Sequence, residues 1–190
     1  MLTRRDLLAP RKTSRPSKSG PATVELTLNG ARAMRDKQFV IVASRFNKAM
    51  SQALVEGATQ ALVQYGVLRE HIETVWVPGA FELPVAAQSV AEALQPHAII
   101  ALGCVIKGDT PQYAAIGHAV AEGLAQASVS TKIPITFGVI VADSVRQAQA
   151  RSGVGAGNRG REAAYAALAM VDLFDRLSRR RRLVAMSRTR

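Results

Sequence analysis

Cysteine is nearly absent: 190 residues contain one, Cys104, so no internal disulfide can form. Because it sits inside an apolar run, a reduced, cytoplasmic setting is the default expectation. Aromatic residues are equally sparse, at 5%, whereas Ala, Leu and Val abound; that balance argues against an all-β sandwich and for small-residue helices packed on a sheet. No stretch approaches the roughly 20 apolar residues that span a bilayer, so no membrane segment is expected. His, Cys, Asp and Glu nowhere take up metal-ligand spacing, and no Ser-His-Asp or Cys-His arrangement is legible. No metal is called for. "TRRDLL" near the start has the look of a twin-arginine signal, yet the following "APRKTSRPSKSGPA" lacks the apolar core that export needs, and an organelle transit peptide has no firmer support.

Acidic residues are missing from the ends. The formal charge of +11 comes from residues 1–37, with nine Lys/Arg against three Asp/Glu, and from residues 176–190, with seven Arg and no acid. Between them lie nine basic and eleven acidic residues. Three segments follow: a basic, largely flexible N-terminal extension over 1–37, a globular domain over 38–178, and a basic tail over 179–190. Residues 1–22 are too poor in apolar surface to offset the entropy of ordering. Leu183, Val184 and Met186 give the tail some capacity to dock. Basic ends of this density can neutralise phosphates with a steep salt dependence. They carry no aromatic residue for stacking on bases, so specific nucleic-acid binding is not expected.

The 48% hydrophobic content is concentrated in the middle. "FVIVAS" (39–44), "TVWVPG" (74–79), "AIIALGCVI" (98–106) and "ITFGVIV" (135–141) are nearly continuous in apolar residues, as strands buried on both faces are. Helical stretches follow each, starting at Ser51, Leu83, Pro111 and Asp143, and a last helix runs from about Asn158 through "REAAYAALAMVDLFDRL". Alternating strands and helices build a parallel sheet with helices on both faces, an α/β architecture. Ligands of such sheets sit beyond the carboxyl ends of the strands, which selects the loops "SRFN", "VPGAFE", "KGDTPQ" and the region after "GVIV".

In "KGDTPQ", Thr110 suits an N-cap and Pro111 the first helical position. The backbone N–H groups around Gly108, Asp109 and Thr110 then face outward from a helix start, an arrangement that binds anions or simply turns the chain. "VPGAFELP" offers Gly79 for close backbone approach, Phe81 as an apolar plate, and Glu82, which either binds a ligand or caps the next helix. Phe46 in "SRFN" can stack on a flat heterocycle or fill the rim of the core. Residues 155–160 match G-x-G-x-x-G but follow a helix rather than a strand, so a dinucleotide site is not expected; Arg151 and Arg159 beside that turn can still hold a phosphate. His118 lies six residues past Gln112, roughly 9 Å along a helix axis and about 240° around it, and cannot stand in for a group at 112.

Taken together and in order, "SRFN", "VPGAFELP", "ALGCVIKGDT", "PITFGVIVADSVRQAQAR" and "GAGNRGREAAYAALAM" resemble the lumazine synthase family over residues 38 to about 175. The resemblance implies a flavodoxin-like three-layer sandwich around a four-stranded parallel sheet. It also implies homo-oligomers built from pentamers, which pair into decamers or close into sixty-subunit shells, with the site between adjacent subunits. The implied reaction joins 5-amino-6-(D-ribitylamino)uracil to 3,4-dihydroxy-2-butanone 4-phosphate, giving 6,7-dimethyl-8-ribityllumazine without cofactor or metal. On the matching positions, Phe46 stacks on the pyrimidine, Ala80, Phe81 and Glu82 bind it and its ribityl chain, and Cys104, Val105 and Ile106 line the pocket by their backbones. Gly108, Asp109 and Thr110 form the phosphate loop; Arg151 holds the phosphate and Phe137 closes the pyrimidine site, both from the neighbouring subunit. Where the family usually has His, then Phe or Tyr, then Asp, this chain has Gln112, Tyr113 and Ala114, and an amide cannot titrate near neutral pH. A slower but genuine synthase is the expectation; a non-catalytic lumazine- or flavin-binding or shell-forming relative is the alternative. Gly155 stands where shell-forming members usually carry lysine, which leaves decamer against sixty-subunit shell open.

Overall fold

A computed structural model describes residues 34–155 and 157–187. The extension before residue 34, Ala156 in the glycine-rich turn and residues 188–190 lie outside the described residues. In chain order the elements are β1 (Phe39–Ser44), α1 (Lys48–Gln64), a 3₁₀ turn (Arg69–His71), β2 (Ile72–Val77), α2 (Leu83–Leu94), β3 (Ala98–Ile106), α3 (Gln112–Thr131), β4 (Ile135–Ala142), α4 (Val145–Ser152) and α5 (Arg159–Ser187). The strands form one parallel sheet in the order β2-β1-β3-β4. That is a flavodoxin-like order. Phe39 pairs with both Ile72 and Ala98, so the three strands start level.

Alternation along the strands sorts the core into two layers. Phe39, Ile41, Ala43, Ile100, Leu102 and Ile140 point to the side covered by α1, α4 and α5, while Val40, Val42, Ile99, Ala101 and Val139 point to the side covered by α2 and α3. Each large side chain fully buried in this way stabilises the fold by about 1.5–3 kcal/mol. The central strands β1 and β3 are buried along almost their whole length. The expectation of two-sided burial fails for β2 and β4, because they are the sheet edges: Glu73 is exposed on β2, and Phe137 and Val141 on β4.

Helices α1 and α5 approach closely where both carry glycine. A Cβ on Gly57 would strike the side chain of Asn158, and one on Gly160 would collide with the Leu54 carbonyl. Asn158 fills this contact. Its Nδ2 donates to the carbonyls of Ser152 (2.8 Å), Gly153 (3.1 Å) and Ala53 (3.2 Å), and its Oδ1 accepts from the Arg161 N–H (3.0 Å). The G-x-G-x-x-G match therefore serves helix packing and capping, and follows α4 rather than a strand.

Helix α5 continues ten residues past the expected end at Leu177, through the arginine-rich segment read as a tail, to Ser187. Charge alone does not end a helix: after Gly160 the segment contains neither Gly nor Pro, and Arg, Leu, Ala and Met all favour helix. At the other end, Met34 is already buried in the core and Lys37 pairs with Asp175 of α5 at 2.7 Å. Among the described residues no helix is long and apolar enough to cross a membrane.

The Gly160 contact yields a stability test. Gly160→Ala gains about 1 kcal/mol of helix propensity but forces a methyl against rigid backbone. Denaturant unfolding is expected to show a net loss of about 1–3 kcal/mol, as overpacking produces.

Candidate active site

Between β1 and β3 the chain changes its direction of travel across the sheet, first outward to β2 and then back past β1 to β3. Loops leaving the carboxyl ends of these two strands diverge and leave a crevice. A cavity of about 370 Å³ occupies it, lined by Phe46, Gly79–Glu82, Cys104–Ile106, Gly108, Thr110, Gln112, Tyr113 and Ile116.

Local geometry explains how each wall is held. Asn47 adopts the left-handed conformation (φ 56°), which Asn tolerates better than most residues. From there its Nδ2 donates to the Cys104 carbonyl at 2.9 Å, tying the loop after β1 to the end of β3. The Arg45 and Phe46 N–H groups donate to the Val77 and Pro78 carbonyls (2.8 and 3.1 Å), extending the β1–β2 ladder past the strands. With its backbone fixed, Phe46 stands 71% exposed at the rim, and Phe81 stands 62% exposed. Exposed aromatic faces beside a cavity mark a place where something flat or apolar docks.

Glu82 does not cap α2 with its side chain. Its Oε2 instead accepts a hydrogen bond from the Gly79 N–H at 2.9 Å. A Cβ on Gly79 would sit 2.9 Å from that same oxygen, so the glycine makes room for the carboxylate rather than for a ligand's approach. Thr110 likewise differs from expectation. Helix α3 begins at Gln112 with Pro111 before it, and no side chain caps it. Pro111 supplies a carbonyl to the Ala114 N–H at 3.1 Å.

Cys104 is buried, and burial pushes its thiol up to about 11. It is a neutral part of the wall at physiological pH. The histidines lie elsewhere: His71 Nδ1 contacts the Arg35 carbonyl, His97 Nδ1 accepts from the Gln38 N–H, and His118 Nδ1 contacts the Ala114 carbonyl. Burial first, and Lys37 second, hold His97 below its ordinary value. Among the described residues no group of three or more His, Cys, Asp or Glu could hold a metal.

Of the residues singled out from sequence, the structure brings together Phe46, Ala80, Phe81, Glu82, Cys104, Val105, Ile106, Gly108, Thr110 and Gln112. Asp109 is exposed in the same loop without lining the cavity. Phe137 and Arg151 do not join them: Phe137 is 42% exposed on edge strand β4, and Arg151 borders a separate depression with Val139, Val141, Gln147 and Arg159. Tyr113, named from sequence only as the residue after Gln112, was given no role, and Ile116 was not singled out. They follow Gln112 by one and four residues, a spacing that puts them on the same side of the first turns of α3.

A profile of 6,7-dimethyl-8-ribityllumazine synthase matches residues 36–175. The chain belongs to this family. Among its curated relatives, the 6,7-dimethyl-8-ribityllumazine synthase of Halorhodospira halophila is 44% identical over 145 residues, covering 76% of this chain and 93% of that protein. Those of Gemmatimonas aurantiaca (45% over 140 residues, 74% and 85%) and Leuconostoc mesenteroides (41% over 142 residues, 75% and 91%) are similarly placed. The match to the lumazine synthase profile ends at residue 175, so the arginine-rich last turns of α5 lie beyond it.

The wall position of Cys104 gives a chemical test. With its thiol pushed up to about 11, the thiolate is roughly one part in a thousand at pH 8, and the thiolate is the reactive form. Iodoacetamide should leave the native protein unmodified over hours at pH 8 and alkylate it fully in denaturant, as read by intact mass.

Proposed function

We infer that this chain is a 6,7-dimethyl-8-ribityllumazine synthase, condensing 5-amino-6-(D-ribitylamino)uracil with 3,4-dihydroxy-2-butanone 4-phosphate in the penultimate step of riboflavin biosynthesis. The observation that carries the reading is the cavity at the β1/β3 divergence. It gathers an aromatic rim, a carboxylate and the loop leading into α3, the residues such a pair of substrates requires.

The roles follow from chemistry. Phe46 stacks on the pyrimidine. Glu82, already oriented by the Gly79 N–H, accepts hydrogen bonds from the ribityl hydroxyls, and the carbonyl and amide edges of Ala80, Phe81 and Cys104–Ile106 read the ring. The uncapped start of α3 and the Gly108–Thr110 loop favour the phosphate, because N–H groups at a helix N-terminus attract anions. The primary amine attacks the ketone, water and phosphate depart, and the ring closes. Holding the two reactants together supplies roughly 7–11 kcal/mol, more than the 10²- to 10⁴-fold typical of general acid–base help. A cavity with Gln112 in place of a titrating group therefore still accelerates the reaction, at a reduced rate. Gln112 orients the ketone or a water by hydrogen bonding.

The placement of Phe137 and Arg151 supports a site shared between subunits. Both are displayed on the protomer's β4 side, away from its own cavity, and a neighbour in a ring could present them to that cavity. The assembly proposed is a pentamer, alone or paired or as a sixty-subunit shell, in the cytoplasm, with residues 38–178 as the catalytic domain and the basic ends outside it.

Mixing the two substrates with purified protein should raise lumazine absorbance and fluorescence above a protein-free control; a trace matching that control overturns the assignment. Gln112→His should raise kcat, with no rise meaning that the pocket itself has diverged. For the shared site, Arg151→Ala should raise KM for the phosphate substrate roughly ten- to hundredfold, the worth of a hydrogen bond to a charged group, while KM for the pyrimidine stays near its original value.

A further inference from the structure

The reaction moves protons off the attacking amine and a carbon and onto the departing water and phosphate, and Gln112 can neither take nor give one. Attack by the amine leaves a proton on nitrogen, and loss of phosphate requires another to leave a neighbouring carbon. Among the described residues of one protomer, the titratable side chains lining the cavity are three: Glu82, Cys104 and Tyr113. Glu82 is engaged with the Gly79 N–H. Cys104 is buried with its thiol held up to about 11.

Tyr113 differs from both. Its ring packs half-buried against the core layer under α2 and α3, while its hydroxyl reaches past the cavity to the loop after β4 and donates to Asp143 Oδ1 at 3.1 Å. Asp143 is exposed to solvent. It is also held in place: its N–H donates to Gln147 Oε1 at 2.8 Å, and the Lys107 N–H donates to the carbonyl of Ala142 next to it at 2.8 Å. A hydroxyl on the cavity wall, bonded on its far side to a carboxylate open to water, is the geometry of a proton wire.

We propose that Tyr113 and Asp143 form a proton relay that carries protons between the cavity and solvent, outward from the attacking amine and carbon and back to the departing water and phosphate, serving this chain in place of a titrating side chain at 112. The proton leaving the substrate is accepted by the Tyr113 oxygen as the hydroxyl proton passes to the Asp143 carboxylate. Asp143 then releases it to water, and Tyr113 is left a neutral phenol. No bond of the protein is broken for good and no electron changes hands. Other charged groups on surrounding elements are Lys107 and Asp109 in the loop before α3, His118 further along α3 with its Nδ1 on the Ala114 carbonyl, and Arg146 and Arg151 on α4. None of them has a hydrogen bond to the Tyr113 hydroxyl among the described residues.

The relay rests on the synthase reading above, and one set of assays separates the two. Tyr113→Phe keeps the ring and its packing and removes the hydroxyl; Asp143→Asn keeps an oxygen that accepts from Tyr113 but takes no proton. Each should lower kcat by about 10²-fold, the low end of general acid–base help, and leave both KM values within about twofold. In a Gln112→His background the imidazole takes the proton directly, so adding Tyr113→Phe should cost less than about threefold. Wild-type turnover with an unimpaired Tyr113→Phe variant overturns the relay and leaves the synthase reading intact. Equal losses with and without the histidine mean that the hydroxyl only supports packing. A normal Asp143→Asn beside an impaired Tyr113→Phe removes the carboxylate from the wire. Absence of wild-type turnover overturns the function and the relay together.

Discussion

The segments leaving β1 and β3 must part, because one continues to β2 and the other crosses to β4, and the cavity lined by Phe46, Glu82 and Gln112 occupies the space that parting creates. Two neighbouring strands with the same direction cannot both fill the region beyond their ends once their connections go opposite ways. Left alone, such a gap would close or flex. Here it is held at a fixed width by Asn47, whose left-handed backbone lets its amide reach the Cys104 carbonyl. Phe46 takes its position from the Pro78 carbonyl and Glu82 from the Gly79 N–H, on either side of that span. The core layers above and below the sheet matter to function mainly because they keep β1 and β3 immobile.

Within the cavity the chemistry is weighted toward placement. Glu82 is committed to a backbone N–H, Cys104 is too buried to ionise near neutral pH, and residue 112 is an amide. A condensation between an amine and an activated ketone tolerates this, because lost translational freedom is the larger barrier and a rigid wall removes it. What placement cannot do is move a proton, and the Tyr113 hydroxyl is bonded to a carboxylate exposed to water. In the proposed relay, position 112 and position 113 divide between them what a single imidazole would do.

Much of this was legible in the sequence, for definite reasons. β1 and β3 came out with the right ends because unbroken apolar runs have one good solution, a strand covered on both faces. The same logic overestimated burial for β2 and β4, since an apolar run does not reveal whether its strand will lie at the centre of the sheet or at its edge. Ten of the site residues meet in one cavity because the loops at strand ends are brought together by topology, which alternating elements announce. Phe137 and Arg151 could not be so placed by one chain's topology. Tyr113 was read only as the neighbour of Gln112, because its hydrogen-bond partner lies thirty residues away and such a bond leaves no mark in local pattern. The length of α5 was missed because a dense arginine run reads as a solvated tail, although nothing in it breaks a helix.

That helix has a bearing on how the protein behaves in bulk. Its last turns carry Arg176 and Arg179–Arg182 on an exposed rod, and a helix is only about 10 Å across. At physiological ionic strength the screening length is about 8 Å, and at 0.01 M it is about 30 Å. Two such rods brought side by side would feel a damped repulsion in the first case and a nearly unscreened one in the second. Dilute buffer is therefore not a neutral medium for this molecule: multivalent anions and dissolved salt decide how near its copies can stand.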